Sequence, residues 1–266
     1  MGFYILNSER RAKMPITVKH GSKKSIPLMK ELWREVFHDS DEFIDTFFST
    51  FYRPRRTLLA FEGKELVSML FCMDVGARYF RKKVKCAYLY GVATKLSERR
   101  RGHFRMLHER LIEELRARHY DAVLVMPAED SLFNFYKDFG YTISLKRFEY
   151  ALTTSDIEEV HDLSEIWQAK RELFKKSNYG LQVLETEAQF IESRKDHKFF
   201  RYGSSYLAFA KEKGRYVLYE TICPNGEGVP VERTHYERSA QLYDLNGVMD
   251  AELLEKQKPE LSYLLN

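Results

Sequence analysis

The sequence predicts an α/β protein, and three observations carry that prediction. Residues 85–128 read as strand, Arg/Gly turn, amphipathic helix and buried strand. Residues 57–80 and 206–222 each hold two strand-like runs about a short turn, and residues 25–37 space their apolar side chains as one helix face does. With 266 residues, 44% hydrophobic and 31% charged, the chain has the make-up of an ordinary globular protein. Its length suits one large domain or two modest ones.

Residues 1–21 show no periodicity and are expected to form a lead-in or an irregular first strand. SIPLMKELWREVF sets Ile26, Met29, Leu32, Trp33 and Val36 on one face, a helix that packs on a sheet. A second helix follows, with Asp39 or Ser40 as its N-cap and Phe43, Phe47, Phe48 and Phe51 behind it. Residues 57–80 form a hairpin about Glu62-Gly63-Lys64, and RKKVK at 81–85 is expected as a loop into the central strand. There Tyr88, Tyr90 and Val92 alternate among β-branched and aromatic neighbours.

After the Arg/Gly turn, Phe104, Leu107, Leu111, Ile112 and Leu115 fall at helical spacing, and AVLVMPA is a short buried strand ending at a Pro. TISLKRFEYAL closes this first body at about Leu152. Thr154 or Ser155, ahead of an acidic turn, reads as a new helix start. The boundaries are therefore a lead-in over 1–21, a main domain over 22–152 and a smaller domain over 153–266. CPNGEGVP at 223–230 is a turn-rich loop, and ELSYLLN a docked last strand.

Charge divides the same way. Residues 1–150 hold 28 Lys plus Arg against 19 Asp plus Glu, and residues 151–266 hold 15 against 20. A basic first half suits an anionic ligand. Nucleic acid is not expected, because the aromatics alternate into strands and form no stacking platform. No apolar run reaches the length of a membrane span, and MGFYILNSERRAK reverses the order of a secretory signal, so a cytoplasmic protein is expected. Cys72, Cys86 and Cys223 are too few and scattered for a disulfide framework or a zinc site, and no metal is expected. Oligomeric state is left open.

The turn carries the chemistry. A helix start leaves backbone N–H groups without partners and adds the positive end of the macrodipole, so a phosphate fits there. Gly102 lets the backbone come close, and Arg99, Arg100, Arg101 and Arg105 supply cations. On these residues alone, a solvated basic turn capping a surface helix stands beside that reading.

GVATKLSERRRGHFRML resembles motif A of the GCN5-related N-acetyltransferases, in which Gln or Arg is followed by two residues, Gly, one residue, and Gly or Ala. The match runs Arg99, Arg100, Arg101, Gly102, His103, Phe104. Phe104 stands where the family has a small residue, as in the branch resembling the enhanced-intracellular-survival acetyltransferases. PAEDSLFNFYKDFGY, at 127–141, is similar to the family's segment in which a Phe-Tyr helix is followed by a Phe-Gly-Tyr turn.

The resemblance implies the acyl-CoA N-acyltransferase fold, a mixed and mostly antiparallel central sheet flanked by helices, with residues 153–266 as a degenerate half-copy walling the acceptor site. It implies acetyl-CoA as cofactor and an amine of a small molecule or peptide as acceptor. Val92, Ala93 and Thr94 would hold the pantetheine arm, and Arg99 to Arg105, with Gly102, His103 and Phe104 among them, the pyrophosphate. Tyr136 would protonate the departing thiolate; its alternative is a core aromatic, alongside Phe133, Phe135 and Phe139. His38, Glu42, Phe43, Asp45 and Phe47, at the first two helices, are candidate acceptor contacts.

No general base is evident. Tyr88 and Tyr90 are poor bases at neutral pH, which leaves Glu42, Asp45, Glu129 and the C-terminal carboxylate of Asn266. The alternative function is an acyl-CoA-binding module that has lost its catalysis.

Overall fold

The computed structural model describes residues 14–80, 82–176, 181–212, 214–223, 229–247 and 249–256. The chain divides into two compact units, residues 1–73 with 89–118, and residues 74–88 with 119–266.

In the first unit, β1 (Ile16–His20), β2 (Thr57–Glu62), β3 (Glu65–Tyr79) and β4 (Lys82–Thr94) lie side by side in that order. β1 and β3 are both antiparallel to β2, with Val18 opposite Ala60 and Leu59 opposite Met69. Helix α1 (Ile26–Phe37) buries Met29, Leu32 and Trp33, and α2 (Asp41–Thr50) buries Ile44, Phe47 and Phe48. These side chains join Leu59, Leu66, Met69, Phe71 and Ala93 in one core. Ser40 is the N-cap of α2, its hydroxyl accepting the Phe43 N–H at 3.2 Å. Helix α3 (His103–Ala117) buries Leu107, Leu111, Ile112 and Leu115, the face read from their spacing.

In the second unit, the first part of β4 is followed by β5 (Ala122–Val125), whose four residues are all buried. The next strand is not its neighbour in sequence. β12 (Val231–Asp244) pairs antiparallel with β5 on one side and with β6 (Ile143–Leu152) on the other, so Leu242 stands opposite both Leu124 and Ile143. Beyond β6 come β11 (Arg215–Ile222), β10 (Ser205–Glu212), β9 (Lys198–Tyr202) and the short β7 (Glu158–Val160). β8 (Leu181–Leu184) pairs with the end of β3, Val183 facing Ala77. Helices α4 (Asp130–Lys137), α5 (Leu163–Lys176), α6 (Glu187–Ser193) and α7 (Ala251–Lys256) complete the unit.

Three expectations need correction. Residues 82–85 of the RKKVK run are the first residues of β4, not a loop. The Lys85 backbone N–H donates to Asp121 at 2.8 Å, and its ammonium lies 4.4 Å from the Tyr120 ring centroid, so packing holds this basic run extended. Second, no helix starts at Thr154 or Ser155. Residues 158–160 pair with β9, and the helix waits for Asp162, whose carboxylate accepts the N–H groups of Ser164 and Glu165. Third, Phe135 is 38% exposed, so the buried face of α4 is Phe133 with Tyr136. Residues 1–13, the centre of the 223–230 loop and ELSYLLN lie outside the described residues.

Two cations and two anions are buried together in this unit. Lys170 of α5 and Arg194, just after α6, are each 1% exposed. Lys170 pairs with Glu185 at 2.9 Å and with Glu220 of β11, while Arg194 reaches Glu185 at 3.0 Å and Glu220 at 3.1 Å. Charges removed from water are tolerable only when matched in number and hydrogen-bonded, which this tetrad achieves. Burial pushes the Glu220 carboxyl up, but the charges of Lys170 and Arg194 outweigh it and bring it down to about 2 from 4.5. A depressed carboxylate stabilises the fold above its unfolded value and loses that contribution as the pH falls toward its folded one. Thermal unfolding should therefore show a melting temperature that drops between about pH 4.5 and pH 2, and Glu220→Gln, leaving excess positive charge buried, should cost about 3–5 kcal/mol at neutral pH.

Candidate functional site

The turn between β4 and α3 takes its shape from two left-handed residues, Arg100 at φ 63° and Gly102 at φ 81°. A side chain strains the first, and only glycine suits the second freely. A Cβ on Gly102 would meet nothing within 4 Å, so the backbone there faces open space. The Met106 N–H donates to the Gly102 carbonyl at 3.2 Å, which leaves the N–H groups of His103, Phe104 and Arg105 ahead of the helical ladder. The Phe104 ring does not plug the turn. It is buried, 5.5 Å from the His108 ring.

The four arginines divide. Arg99 and Arg100 are exposed, and Arg100 makes no ion pair among the described residues. Arg105 is exposed as well; after burial, its charge is the second cause that lowers the His108 imidazole to about 4. Arg101 is committed inward. Its guanidinium pairs with Glu98, and with Glu62 of β2 at 3.4 Å. His103, 3% exposed, sets its Nε2 3.2 Å from the same Glu98 carboxylate. Glu98 thus ties the turn to the first helical residue, and Arg101 ties it to β2. Arg101 and His103, read from sequence as phosphate contacts, direct their side chains to Glu98, and Arg101 to Glu62 as well.

Upstream, the strand contains Gly91, at φ 54°. A Cβ there would stand 2.8 Å from the Phe71 ring and 3.3 Å from Trp33, so the backbone packs directly on those side chains. Beyond it, the Ser68 hydroxyl donates to the Ala93 carbonyl at 2.9 Å and lies 2.8 Å from the Thr94 hydroxyl, and the Lys95 N–H donates to Val67. Because successive residues of a strand turn their backbone groups to opposite sides, Val92 and Thr94 direct theirs away from β3. Ala93 directs its own toward β3. Of the three positions, two can present the main chain to an extended ligand.

Tyr136, in the second unit, lies on the buried face of α4 and is 6% exposed, 5.6 Å from the Tyr141 ring. Burial pushes its phenol well above the usual value. Of the base candidates, Asp45 is held by Lys30 at 2.5 Å, Glu129 accepts the Ser131 hydroxyl at 2.6 Å, and Glu42 is exposed at the start of α2. Asn266 lies outside the described residues. Burial, then the charge of Asp39, pushes Tyr90 up to about 12, which bars it from acting as a base. No group of three His, Cys, Asp or Glu placed to hold a metal occurs among the described residues, and no helix there is long and apolar enough to cross a membrane.

This strand, glycine turn and helix lie within the part of the chain that a family model matches. Residues 17–144 match the family model described as the acetyltransferase (GNAT) domain. A GCN5-related N-acetyltransferase from Kribbella flavida is similar in structure over 87% of this chain and 72% of its own, at TM-score 0.64 and 13% identity. Eis1 from Mycobacterium abscessus is similar over 86% and 74%, at TM-score 0.61 and 11% identity. A GCN5-related N-acetyltransferase from Anabaena variabilis ATCC 29413 covers 87% and 73%, at TM-score 0.62 and 12% identity. The fold is therefore the GNAT fold, mixed α/β with a mostly antiparallel sheet flanked by helices and a further sheet region. No curated protein sequence matches.

Glu98 provides a test of what Arg101 and His103 do. If the network only adds charge, Glu98→Gln removes a negative group near the turn and tightens an anion. If it holds the turn's shape, the same change loosens it. Coenzyme A, the ligand the sequence resemblance implies, should bind Glu98→Gln at least threefold more weakly than wild type in a calorimetric titration, against roughly a twofold gain from charge alone. Gly91→Ala, strained at its φ and pressed against Phe71, should lose about 1–2 kcal/mol in denaturant unfolding.

Proposed function

We propose that the protein is an N-acetyltransferase that moves the acetyl group of acetyl-CoA to an amine of a small molecule or peptide, in a ternary complex. The observation that carries this reading is the turn at 99–105. Its glycine is left-handed and open, its helix start brings the positive end of the macrodipole there, and exposed arginines flank it, all within the segment that matches the GNAT domain. The residues fit the cofactor: Arg99, Arg100 and Arg105, with the amides of 103–105, suit a pyrophosphate, and the backbone of Val92 and Thr94 suits a pantetheine arm.

Bound acetyl-CoA supplies the activated acetyl thioester. The chain supplies position and charge stabilisation, with a backbone N–H at Val92 as donor to the thioester carbonyl. Tyr136 would be the donor to the departing sulfur. Its raised pKa keeps the phenol protonated at every working pH, so it offers a hydrogen bond as charge builds on sulfur, and full transfer to a thiolate is uphill. Residues 153–266, with the β10–β11 hairpin echoing β2–β3, fit a degenerate half-copy of the same fold, the layout of the enhanced-intracellular-survival branch. A cytoplasmic site of action suits a cofactor of metabolism.

Coenzyme A release measured against a panel of amines, beside direct binding of acetyl-CoA, tests the proposal. Turnover is expected, and Tyr136→Phe should lower it at least tenfold with acetyl-CoA affinity retained. Binding without turnover for every amine would make the protein an acyl-CoA-binding module instead.

A further inference from the structure

The loop that joins α1 to α2 does more than connect them. Helix α1 ends at Phe37, and His38 takes a left-handed conformation at φ 57°, which turns the chain back on itself. Asp39 then points at the helix it has just left, and its carboxylate accepts the Trp33 Nε1–H at 2.8 Å. Capping of α2 falls to Ser40. Asp39 is thus held in one place by a neutral donor, with no capping task.

Three of its acidic neighbours are engaged, while Glu42 is exposed. Asp41 pairs with Arg34 at 2.6 Å, Asp45 with Lys30 at 2.5 Å, and Glu35 accepts the Leu96 N–H at 2.9 Å. Asp39 has no cationic partner among the described residues. Its charge is felt at Tyr90, whose phenol it helps to push up. Around the Trp33 indole that holds it stand aromatic rings with accessible surface. Phe43 is 39% exposed with its centroid 6.3 Å from Trp33, Phe37 lies 5.4 Å from Trp33, and Tyr90 lies 6.0 Å from it. A fixed carboxylate beside accessible π faces has the composition that recognises an ammonium group joined to an apolar body. Tyr90 also precedes Val92 by two residues, about 7 Å along the strand.

We infer that Asp39, Tyr90, Phe37 and Phe43 form the recognition site for a primary ammonium on an apolar, ring-sized body, with Asp39 pairing the charge and the rings covering the body. This deepens the acetyltransferase reading by naming the class of acceptor, although binding of the amine does not depend on that reading. An amine that also carries a carboxylate is disfavoured, because its anion would meet Asp39. The site binds the acceptor; the proton it must lose before attack is a separate matter.

Calorimetric titration of the full chain with 2-phenylethylammonium and with neutral 2-phenylethanol tests the inference without any variant. The ammonium should bind at least fivefold more tightly, and that advantage should shrink as salt is raised. Asp39→Asn, which keeps an oxygen for the Trp33 N–H, should lower affinity for the ammonium at least fivefold, leave the alcohol unchanged and leave acetyl-CoA binding unchanged. Phe43→Ala should weaken both ligands. Equal binding of the two by the wild type, no binding of the ammonium, or an Asp39→Asn variant that folds and binds it as wild type does would overturn the inference. Failure of the acetyltransferase reading looks different: acetyl-CoA unbound, or bound without turnover, with the preference for the ammonium intact.

Discussion

The buried indole of Trp33 is the contact on which the rest of the first unit depends. At 1% exposure it lies against Phe47 at 4.7 Å and Phe71 at 5.6 Å, and together with Phe71 it fills the space a side chain at Gly91 would take. One ring therefore sets the distance between α1, α2, β3 and β4. Because the β4 backbone at Gly91 rests on Phe71 and Trp33 without an intervening side chain, the strand beyond Gly91 has its direction fixed, and with it the side to which Val92 and Thr94 turn their main-chain groups. The polar edge of the same ring fixes Asp39. Core packing and the two candidate ligand surfaces of this unit are consequences of one placement.

Charge organises the remainder, in two different manners. Around the glycine turn, Glu98 and Glu62 draw Arg101 inward and so leave Arg99, Arg100 and Arg105 facing water, which separates the cation that shapes the turn from those that can meet a ligand. In the second unit, Lys170, Glu185, Arg194 and Glu220 cancel one another in the interior, where none can be removed without stranding another. The first arrangement serves a surface and the second serves the fold.

Much of the architecture was legible in the sequence because its signals are local. The faces of α1 and α3, the hairpins at 57–80 and 206–222, the wholly apolar β5 and the glycine turn are each set by neighbours within a few residues. The failures were local readings overruled by distant partners. Residues 82–85 looked like a loop, but pairing and the Tyr120 ring hold them in a strand. Thr154 and Ser155 looked like a cap, but residues 158–160 found β9 first. Phe135 looked like core, yet its place on α4 turns it outward while Tyr136 goes in.

By itself the sequence determined the order of strand, turn, helix and strand, and a cationic helix start that follows a glycine, since helical period and charge belong to short stretches of chain. Only the tertiary structure decided that β12 lies between β5 and β6, that Arg101 faces inward while Arg100 faces out, and that Asp39 serves Trp33 and not the helix after it. Each of those depends on groups brought together from far apart in the chain, and no short-range pattern encodes which buried carboxylate or which strand edge a residue will meet.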